Sequence, residues 1–220
     1  NNGNIIQNTS DDNCLTTDAD SNLTNNGIIM ITCGNGNYGN GTFFFDGSLT
    51  NNGTLTVNTW FRILSHQGTI TNNGNILLNG SITFDDNTPF TNLKHGIVTN
   101  THFMILNFNF INYGKIIEDG HNNVDYSGGQ GGSDFDGLVN NGEIVINQGS
   151  QLNLYSLTNE GMITNNGILD SSSGGIKINN NKIENYGSII GVVNLHNSGT
   201  IQNRCNASID GVPSDNPVTE

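Results

Sequence analysis

The chain has 220 residues, with asparagine the commonest, 29 glycines, only two alanines (Ala19 and Ala207) and a formal net charge of −13. So few strong helix formers and so many turn formers argue against a helical fold and for short strands joined by tight turns. Six basic residues against 19 acidic ones argue against binding nucleic acid or an anionic membrane. The charge suits divalent cations as partners, and it equally suits a secreted protein that its acidic residues keep soluble.

One motif, apolar-x-Asn-x-Gly-x-apolar, recurs along nearly the whole chain, starting from a clipped copy at Asn1, Gly3 and Ile5. A decayed copy lies at residues 92–98, around Gly96. Most matched glycines are separated by roughly 20 residues, and such a period is typical of a repeat architecture. The nine complete copies contain the asparagines Asn25, Asn51, Asn72, Asn112, Asn140, Asn159, Asn165, Asn185 and Asn197.

Some copies lie much closer together than one period, because Gly161 and Gly167 are six residues apart. This spacing predicts a triangular coil in which the motif can occupy more than one side. The conserved positions within each copy are two residues apart, so in a strand they share one face. We expect that face to point inward, with each buried asparagine hydrogen-bonded to those above and below, and with glycine supplying a bend or a positive φ.

The alternative interpretation is an antiparallel sheet of Asn-Gly hairpins. Copies six residues apart leave no room for hairpins, and a meander would not keep asparagine on one face. The sequence therefore predicts an all-β fold, a parallel β-solenoid (β-helix) of about ten coils of roughly 20 residues. The solenoid should cover residues 1–203, with loop insertions near 11–22 and 121–137, and residues 204–220 should form a C-terminal tail or cap.

The Asn-x-Gly-x-Ile steps, as at Asn72, Gly74 and Ile76, resemble those of right-handed parallel β-helix surface proteins. That group includes filamentous haemagglutinin-type adhesins and archaeal surface proteins. The resemblance covers roughly residues 1–203 and lies in the repeat pattern rather than in a unique motif. It implies a β-solenoid at the cell surface or outside the cell, and it implies no particular activity.

The first departure from the repeat is the segment at residues 11–22, where Asp18, Asp20 and Asn22 place oxygen ligands at alternate positions. Such spacing suits Ca²⁺, although the full EF-hand pattern is absent. The alternative is a solvated loop tethered by a disulfide. We predict that Cys14 and Cys33 form that disulfide, because they should lie about one coil apart. Cys205 is then left free or pairs between chains.

Six Asn-x-Ser/Thr triplets are potential glycosylation sites. An asparagine-rich chain produces such triplets by chance, yet together with the acidic charge they favour an extracellular location. The triplets begin at Asn8, Asn22, Asn40, Asn52, Asn79 and Asn206.

Two consecutive apolar runs, at residues 43–45 and 103–110, interrupt the alternation. One face of each run would be exposed unless a loop or another subunit covers it. The residues that we expect in such a subunit contact are Phe43, Phe44, Phe45, Phe103 and Phe108. The glycine-rich insertion at 121–137 could gather an ion, face a neighbour or be a mobile loop.

Nothing in the sequence forms a catalytic constellation, so we expect no enzyme activity. The six basic residues do not cluster at one coil period, and Asp85 and Asp86 would point to opposite faces of a strand. Two functions remain. One is a secreted, self-assembling structural subunit of an extracellular filament, sheath or surface layer, with copies of itself as the partner. The alternative is a monomeric adhesin domain that binds glycan or a host surface.

Overall fold

The computed structural model describes residues 1–9, 13–16, 21–33, 42–45, 47–58, 60–63, 68–80, 82–84, 89–102, 104–106, 110–120, 133–172, 177–191 and 195–211. Within these ranges the chain forms strands and turns without a helix, so none of them forms a helix that could cross a membrane. Every strand pairing in them is parallel, and neighbouring strands come from successive coils. The chain therefore winds into a parallel β-solenoid.

The cross-section has three sides, which we call faces I, II and III in the order in which the chain passes through them. Face I is a ten-stranded sheet of Asn4–Thr9, Ile28–Cys33, Thr54–Val57, Asn75–Leu78, Ile97–Asn100, Lys115–Glu118, Glu143–Ile146, Met162–Asn165, Lys182–Asn185 and Thr200–Asn203. Face II contains Asn13–Thr16, Thr42–Phe45, Trp60–Ile63, Ile82–Phe84, Met104–Leu106, Ile168–Asp170, Ser188–Ile190 and Ser208–Ile209. Face III contains Ser21–Asn25, Gly47–Asn51, Ile70–Asn72, Phe90–Asn92, Phe110–Asn112, Lys177–Asn179 and Leu195–Asn197.

Two longer strands, Ser133–Asn140 and Gln151–Asn159, run through face II into face III and join the two faces in one sheet. The first of them bends at Gly137, whose φ is 87° and where the pairing register shifts. A φ in this region favours glycine, because other side chains are strained there.

Each strand of face I opens one coil, and nine of these coils continue through faces II and III in the described residues. The predicted fold class is confirmed, and the number of complete coils is slightly below ten. Three details differ from the predicted boundaries. A strand at Asn13–Thr16 lies inside the first predicted insertion, Ser133–Asn140 begins inside the second, and pairing continues to Ile209, beyond residue 203.

The core consists of apolar columns that run along the solenoid axis, because inward residues of successive coils lie in register. The rings of Phe90 and Phe110 stack with their centroids 4.4 Å apart. The column of face I contains Ile29, Leu55, Ile76, Val98, Ile116, Ile144, Ile163, Ile183 and Ile201, all buried. Burying each such side chain contributes about 1.5–3 kcal/mol, so the columns are the main source of stability.

Most of the repeated glycines mark the corner between faces III and I, Gly167 and Gly187 mark the corner between faces I and II, and their role is steric. A Cβ on Gly53 would lie 2.1 Å from the carbonyl oxygen of Gly27 in the preceding coil, and one on Gly74 would lie 2.1 Å from that of Gly53. The suggestion that these glycines supply a positive φ is wrong, because the described glycines with positive φ lie elsewhere in the repeat. Stacked corners approach so closely that no side chain fits between them.

Candidate functional site

A continuous ladder of asparagine side chains follows the corner between faces III and I, and we call it the first ladder. Asn25 Nδ2 donates to Asn51 Oδ1 at 2.8 Å, and Asn51 Nδ2 donates to Asn72 Oδ1 at 2.8 Å. All the steps are 2.6–2.8 Å long and run in the same direction. The ladder contains Asn25, Asn51, Asn72, Asn92, Asn112, Asn140, Asn159, Asn179 and Asn197, and every one of them is fully buried.

The ladder amides other than the last, Asn197, also satisfy backbone groups of the corner. Asn25 Nδ2 donates to the carbonyl of Thr54 at 2.9 Å, and Asn25 Oδ1 accepts from the N–H of Gly27 at 3.1 Å. An asparagine that accepts from the backbone two residues on forms an Asx turn. Apart from Asn197, whose Nδ2 has no hydrogen-bond partner, the buried amides are thus bonded along the axis and to the turn, as buried polar groups require.

A second, shorter ladder lies at the corner between faces I and II. Asn165 Nδ2 donates to Asn185 Oδ1, and Asn185 Nδ2 donates to Asn203 Oδ1, each at 2.7 Å. The nine asparagines that we predicted to form the ladder are all buried rungs, but Asn165 and Asn185 belong to this second ladder. The close spacing of Gly161 and Gly167 has the same origin, since the two glycines follow different corners of one coil.

Sequence reasoning missed two rungs of the first ladder because their corners depart from the motif. Asn92 precedes a corner that is two residues longer, and its Nδ2 donates to the carbonyl of Gly96 at 3.1 Å. After Asn179, Asn181 replaces the glycine. The backbone hydrogen bond between stacked coils is longer at this corner. Lys182 N lies 3.5 Å from the Gly161 carbonyl oxygen, whereas Met162 N donates to the Gly142 carbonyl at 2.9 Å.

Lys177 occupies a position of the face III column that is apolar in the neighbouring coils, where Leu157 and Leu195 lie in register with it. Its side chain is fully buried. Burial lowers the pKa of the Lys177 amine below its usual value, and the nearby Asp170 carboxylate offsets part of that effect. Burying an amine in an apolar column is energetically unfavourable. Lys177 is therefore a residue whose type does not suit its buried position.

Lys177→Met should raise the free energy of unfolding by about 1–3 kcal/mol near neutral pH, because methionine fills the column without desolvating a charge. The advantage should shrink in alkali. Between the lowered folded-state pKa and 10.5 the unfolded chain binds more protons, so the stability of the unmodified protein rises with pH. Denaturant unfolding at neutral and alkaline pH measures both effects. Leu195→Met is the control, and an advantage of Lys177→Met that does not change with pH would contradict the explanation.

The predicted calcium ligands are only partly described. Asn22 is exposed on the outside of face III, whereas Asp18 and Asp20 lie outside the described residues. Among the residues that are described, no three His, Cys, Asp or Glu side chains gather as a metal site. Calcium binding by the three predicted ligands stays a prediction.

The cysteines differ in their environment. Cys33 is buried and disulfide-bonded, whereas Cys205 is exposed and free. Cys14 lies on the strand Asn13–Thr16, whose side chains are outside the description, and this strand contacts Ile28–Cys33. The pairing of Cys14 with Cys33 stays a prediction.

The predicted glycosylation sites are not equally accessible. Asn22, Asn52 and Asn206 are exposed. Asn79 is half-buried, and its side chain both donates to Asn58 at 2.8 Å and accepts from Thr101 at 2.9 Å. The side chain of Asn8 and the whole of Asn40 lie outside the description. Glycosylation itself stays a prediction at all six sites.

The predicted subunit contacts fall mostly outside the description. Phe43, Phe44 and Phe45 belong to the face II strand Thr42–Phe45, and nothing further is established for their side chains. Phe103 and Phe108 are outside the described residues. The apolar surface that is described lies elsewhere, on the outer side of face I.

These features define the class of protein: an all-β parallel β-solenoid stapled by two internal asparagine ladders. No protein-family model, curated protein or solved structure matches the chain. Its function therefore has to be argued from its own surfaces.

Proposed function

We propose that this protein is a secreted, self-assembling structural subunit of an extracellular filament, sheath or surface layer. The observation that carries the proposal is an uncharged strip on the outer side of face I, which we call the panel. It is formed by the outward residues of the first five strands of face I, namely Asn4, Ile6, Ile28, Met30, Thr54, Thr56, Asn75, Leu77, Ile97 and Thr99.

The panel exposes apolar side chains on the outer side of a parallel sheet. Ile28 and Met30 are 41% and 37% exposed, and Ile97 is 37% exposed. Thr56 lies in register between Met30 and Leu77 and is only 8% exposed, so the surface is continuous there. Stacked sheets pack face to face at about 10 Å, so such a surface suits another sheet.

The charge distribution favours a second copy as the partner. A chain of net charge −13 repels its copies, and the repulsion is weakest where the contact carries no charge. Several acidic residues lie beside face II strands in the sequence. Asp46 directly follows Thr42–Phe45, and Asp85 and Asp86 directly follow Ile82–Phe84. In the sequence these residues lie outside the face I strands that form the panel.

The disulfide at Cys33 supports an extracellular location, because disulfides persist in oxidising compartments. The resemblance of the repeat to filamentous haemagglutinin-type adhesins and archaeal surface proteins points the same way. Two exposed tyrosines, Tyr113 and Tyr186, follow different corners of the solenoid and so do not form a row that would hold a glycan along the rod.

Changing Ile28 and Met30 together to Glu should abolish assembly, because two carboxylates in the panel would face those of the other copy. Sedimentation at several concentrations, with and without Ca²⁺, measures the result. The matched control changes Thr24 and Thr50 to Glu, which adds the same charge on the outside of face III in neighbouring coils. This control should assemble like the unmodified protein.

An unmodified protein that stays monomeric at high concentration would contradict the proposal and favour the alternative, an adhesin domain. Assembly that resists the panel substitutions would leave self-association standing and would exclude the panel as its contact.

A further inference from the structure

Seven asparagine–glycine pairs lie in the described residues. Asn2–Gly3 opens the first coil, and Asn79–Gly80 follows a face I strand without a ladder asparagine before it. The other five follow a ladder asparagine at corners that stack on a preceding coil: Asn26–Gly27, Asn52–Gly53, Asn73–Gly74, Asn141–Gly142 and Asn166–Gly167. This dipeptide is chemically fragile. The glycine nitrogen loses its proton and attacks the side-chain carbonyl carbon of the asparagine, ammonia leaves, and a succinimide ring forms. Water then opens the ring to aspartate or isoaspartate, which replaces a neutral amide by a carboxylate. Glycine is the most permissive second residue because no side chain hinders the attack.

The attacking nitrogen is engaged at each of these corners. Gly27 N donates to Asn25 Oδ1 at 3.1 Å, and Gly167 N donates to Asn165 Oδ1 at 3.1 Å. Gly142 N donates to Asn140 Oδ1 at 3.3 Å. In these three pairs the acceptor is the ladder asparagine directly before the fragile one. A nitrogen whose proton is held in this way is a poorer nucleophile.

The other two pairs are held by the preceding coil. Gly53 N donates to the backbone carbonyl of Asn25 at 3.0 Å, and Gly74 N donates to that of Asn51 at 3.0 Å. Gly74 N also has Asn72 Oδ1 at 3.2 Å. The backbone of the preceding coil therefore engages these two glycine nitrogens, as the ladder side chains engage the other three.

Two of the fragile side chains are themselves restrained. Asn26 Nδ2 donates to Asn2 Oδ1 at 2.9 Å, and Asn52 Nδ2 donates to Asn26 Oδ1 at 2.8 Å, along an outer row of exposed asparagines. Attack requires the side chain to swing onto the following nitrogen, which would break these bonds.

The corners also leave no room for the backbone to rearrange. A Cβ on Gly27 would lie 2.0 Å from the carbonyl oxygen of Gly3, and one on Gly142 would lie 2.2 Å from that of Gly114. Ring closure places the glycine nitrogen in a new five-membered ring and rotates the backbone around it. With the preceding coil so close, that rotation requires the corner to open first.

We propose that the corners protect these five asparagine–glycine bonds from deamidation, so that the ladder asparagines have a chemical role beside their structural one. The protection is lost on unfolding, when every pair becomes free to react. Each event adds a negative charge to a chain already at −13, at a corner that must stack on its neighbours. Unfolding thus becomes chemically irreversible, and the working lifetime of the protein is set by how rarely it opens.

The geometry also ranks the sites. Asn26 and Asn52 should react most slowly, because the nitrogen of the following glycine and the side chain of the asparagine are both hydrogen-bonded. Asn141 is exposed, and its glycine nitrogen has the longest of the five bonds, so it should react fastest in the native protein.

The test is to incubate the protein in a mildly alkaline buffer with and without urea, and to follow deamidation by peptide mapping as a mass gain of one dalton. In urea the five sites should react at similar rates. In the native protein each should be slowed at least about tenfold, equivalent to a local opening free energy of about 1.4 kcal/mol. Native rates equal to those in urea, with the sheet intact by circular dichroism, would overturn the proposal.

A variant distinguishes protection by the local hydrogen bond from protection by the global stability of the fold. Asn165→Ala removes the acceptor of Gly167 N, and we expect it to speed deamidation of Asn166 at least about fivefold while Asn52, several coils away, keeps its native rate. Equal acceleration at both sites would show that only global unfolding controls the reaction, and an unchanged rate at Asn166 would show that the hydrogen bond gives no protection. Either result would overturn the role assigned to the ladder.

Discussion

Gly74→Ala is expected to destabilise the solenoid by about 3 kcal/mol or more, because it overpacks a site with no space for a methyl group. The new Cβ would lie 2.1 Å from the Gly53 carbonyl oxygen and 2.7 Å from the carbonyl carbon of Asn52. Both are backbone atoms of the coil below, so neither can move without breaking the pairing around it. Urea unfolding, followed by circular dichroism, should show a much lower midpoint.

The matched control is Gly3→Ala, the same substitution at the equivalent corner of the first coil. No atom lies within 4 Å of a Cβ built there. Since neither glycine has a positive φ, the two substitutions differ in the steric term alone. Gly3→Ala should be neutral within about 0.5 kcal/mol, the usual range for surface changes. Equal effects at the two sites would contradict the steric explanation of the repeat.

The period of the motif predicted the fold class, because a parallel solenoid repeats its environment in every coil. Inward asparagine and stacked corners follow from alternation along a strand, and Asn25, Asn51 and Asn72 occupy the rungs that the pattern assigned to them. The corner that each asparagine occupies was not predictable from the motif alone. Asn159 and Asn165 both stand in complete copies of the motif, and the strand lengths around them decide that they belong to different ladders.

Other features could not be predicted because the register of neighbouring coils overrides local sequence. Nothing around Lys177 predicts a buried side chain, and the residue points inward only because the coils on both sides hold leucine there. Asn179 is a rung although its corner lacks glycine, since Asn159 donates to it from below. The panel on face I was also missed, because its apolar residues come from four strands far apart in sequence.

Asn72→Ala should destabilise the protein by several kcal/mol through the two partners that it leaves behind. Asn92 Oδ1 would lose its donor, and Asn51 Nδ2 would lose its shortest acceptor and keep only the carbonyls of Gly53 and Asn75, in a site that water does not reach. Each buried polar group left unpaired costs ~1–3 kcal/mol. The bonds from Asn72 Nδ2 to the carbonyls of Gly74 and Ile97 would be lost as well. Denaturant unfolding of the variant measures the sum.

The comparison that isolates the ladder is Asn197→Ala, at the last rung. Asn197 accepts from Asn179 at 2.6 Å, but its own Nδ2 is buried without a hydrogen-bond partner. Removing it takes one acceptor from Asn179 Nδ2, which keeps the carbonyl of Asn181 at 3.2 Å, and eliminates a buried group that already had no partner, so the two effects largely cancel. The internal substitution should therefore cost at least about 2 kcal/mol more than the terminal one. Equal losses at Asn72 and Asn197 would mean that each asparagine stabilises only its own turn, and that the bonds between coils contribute little.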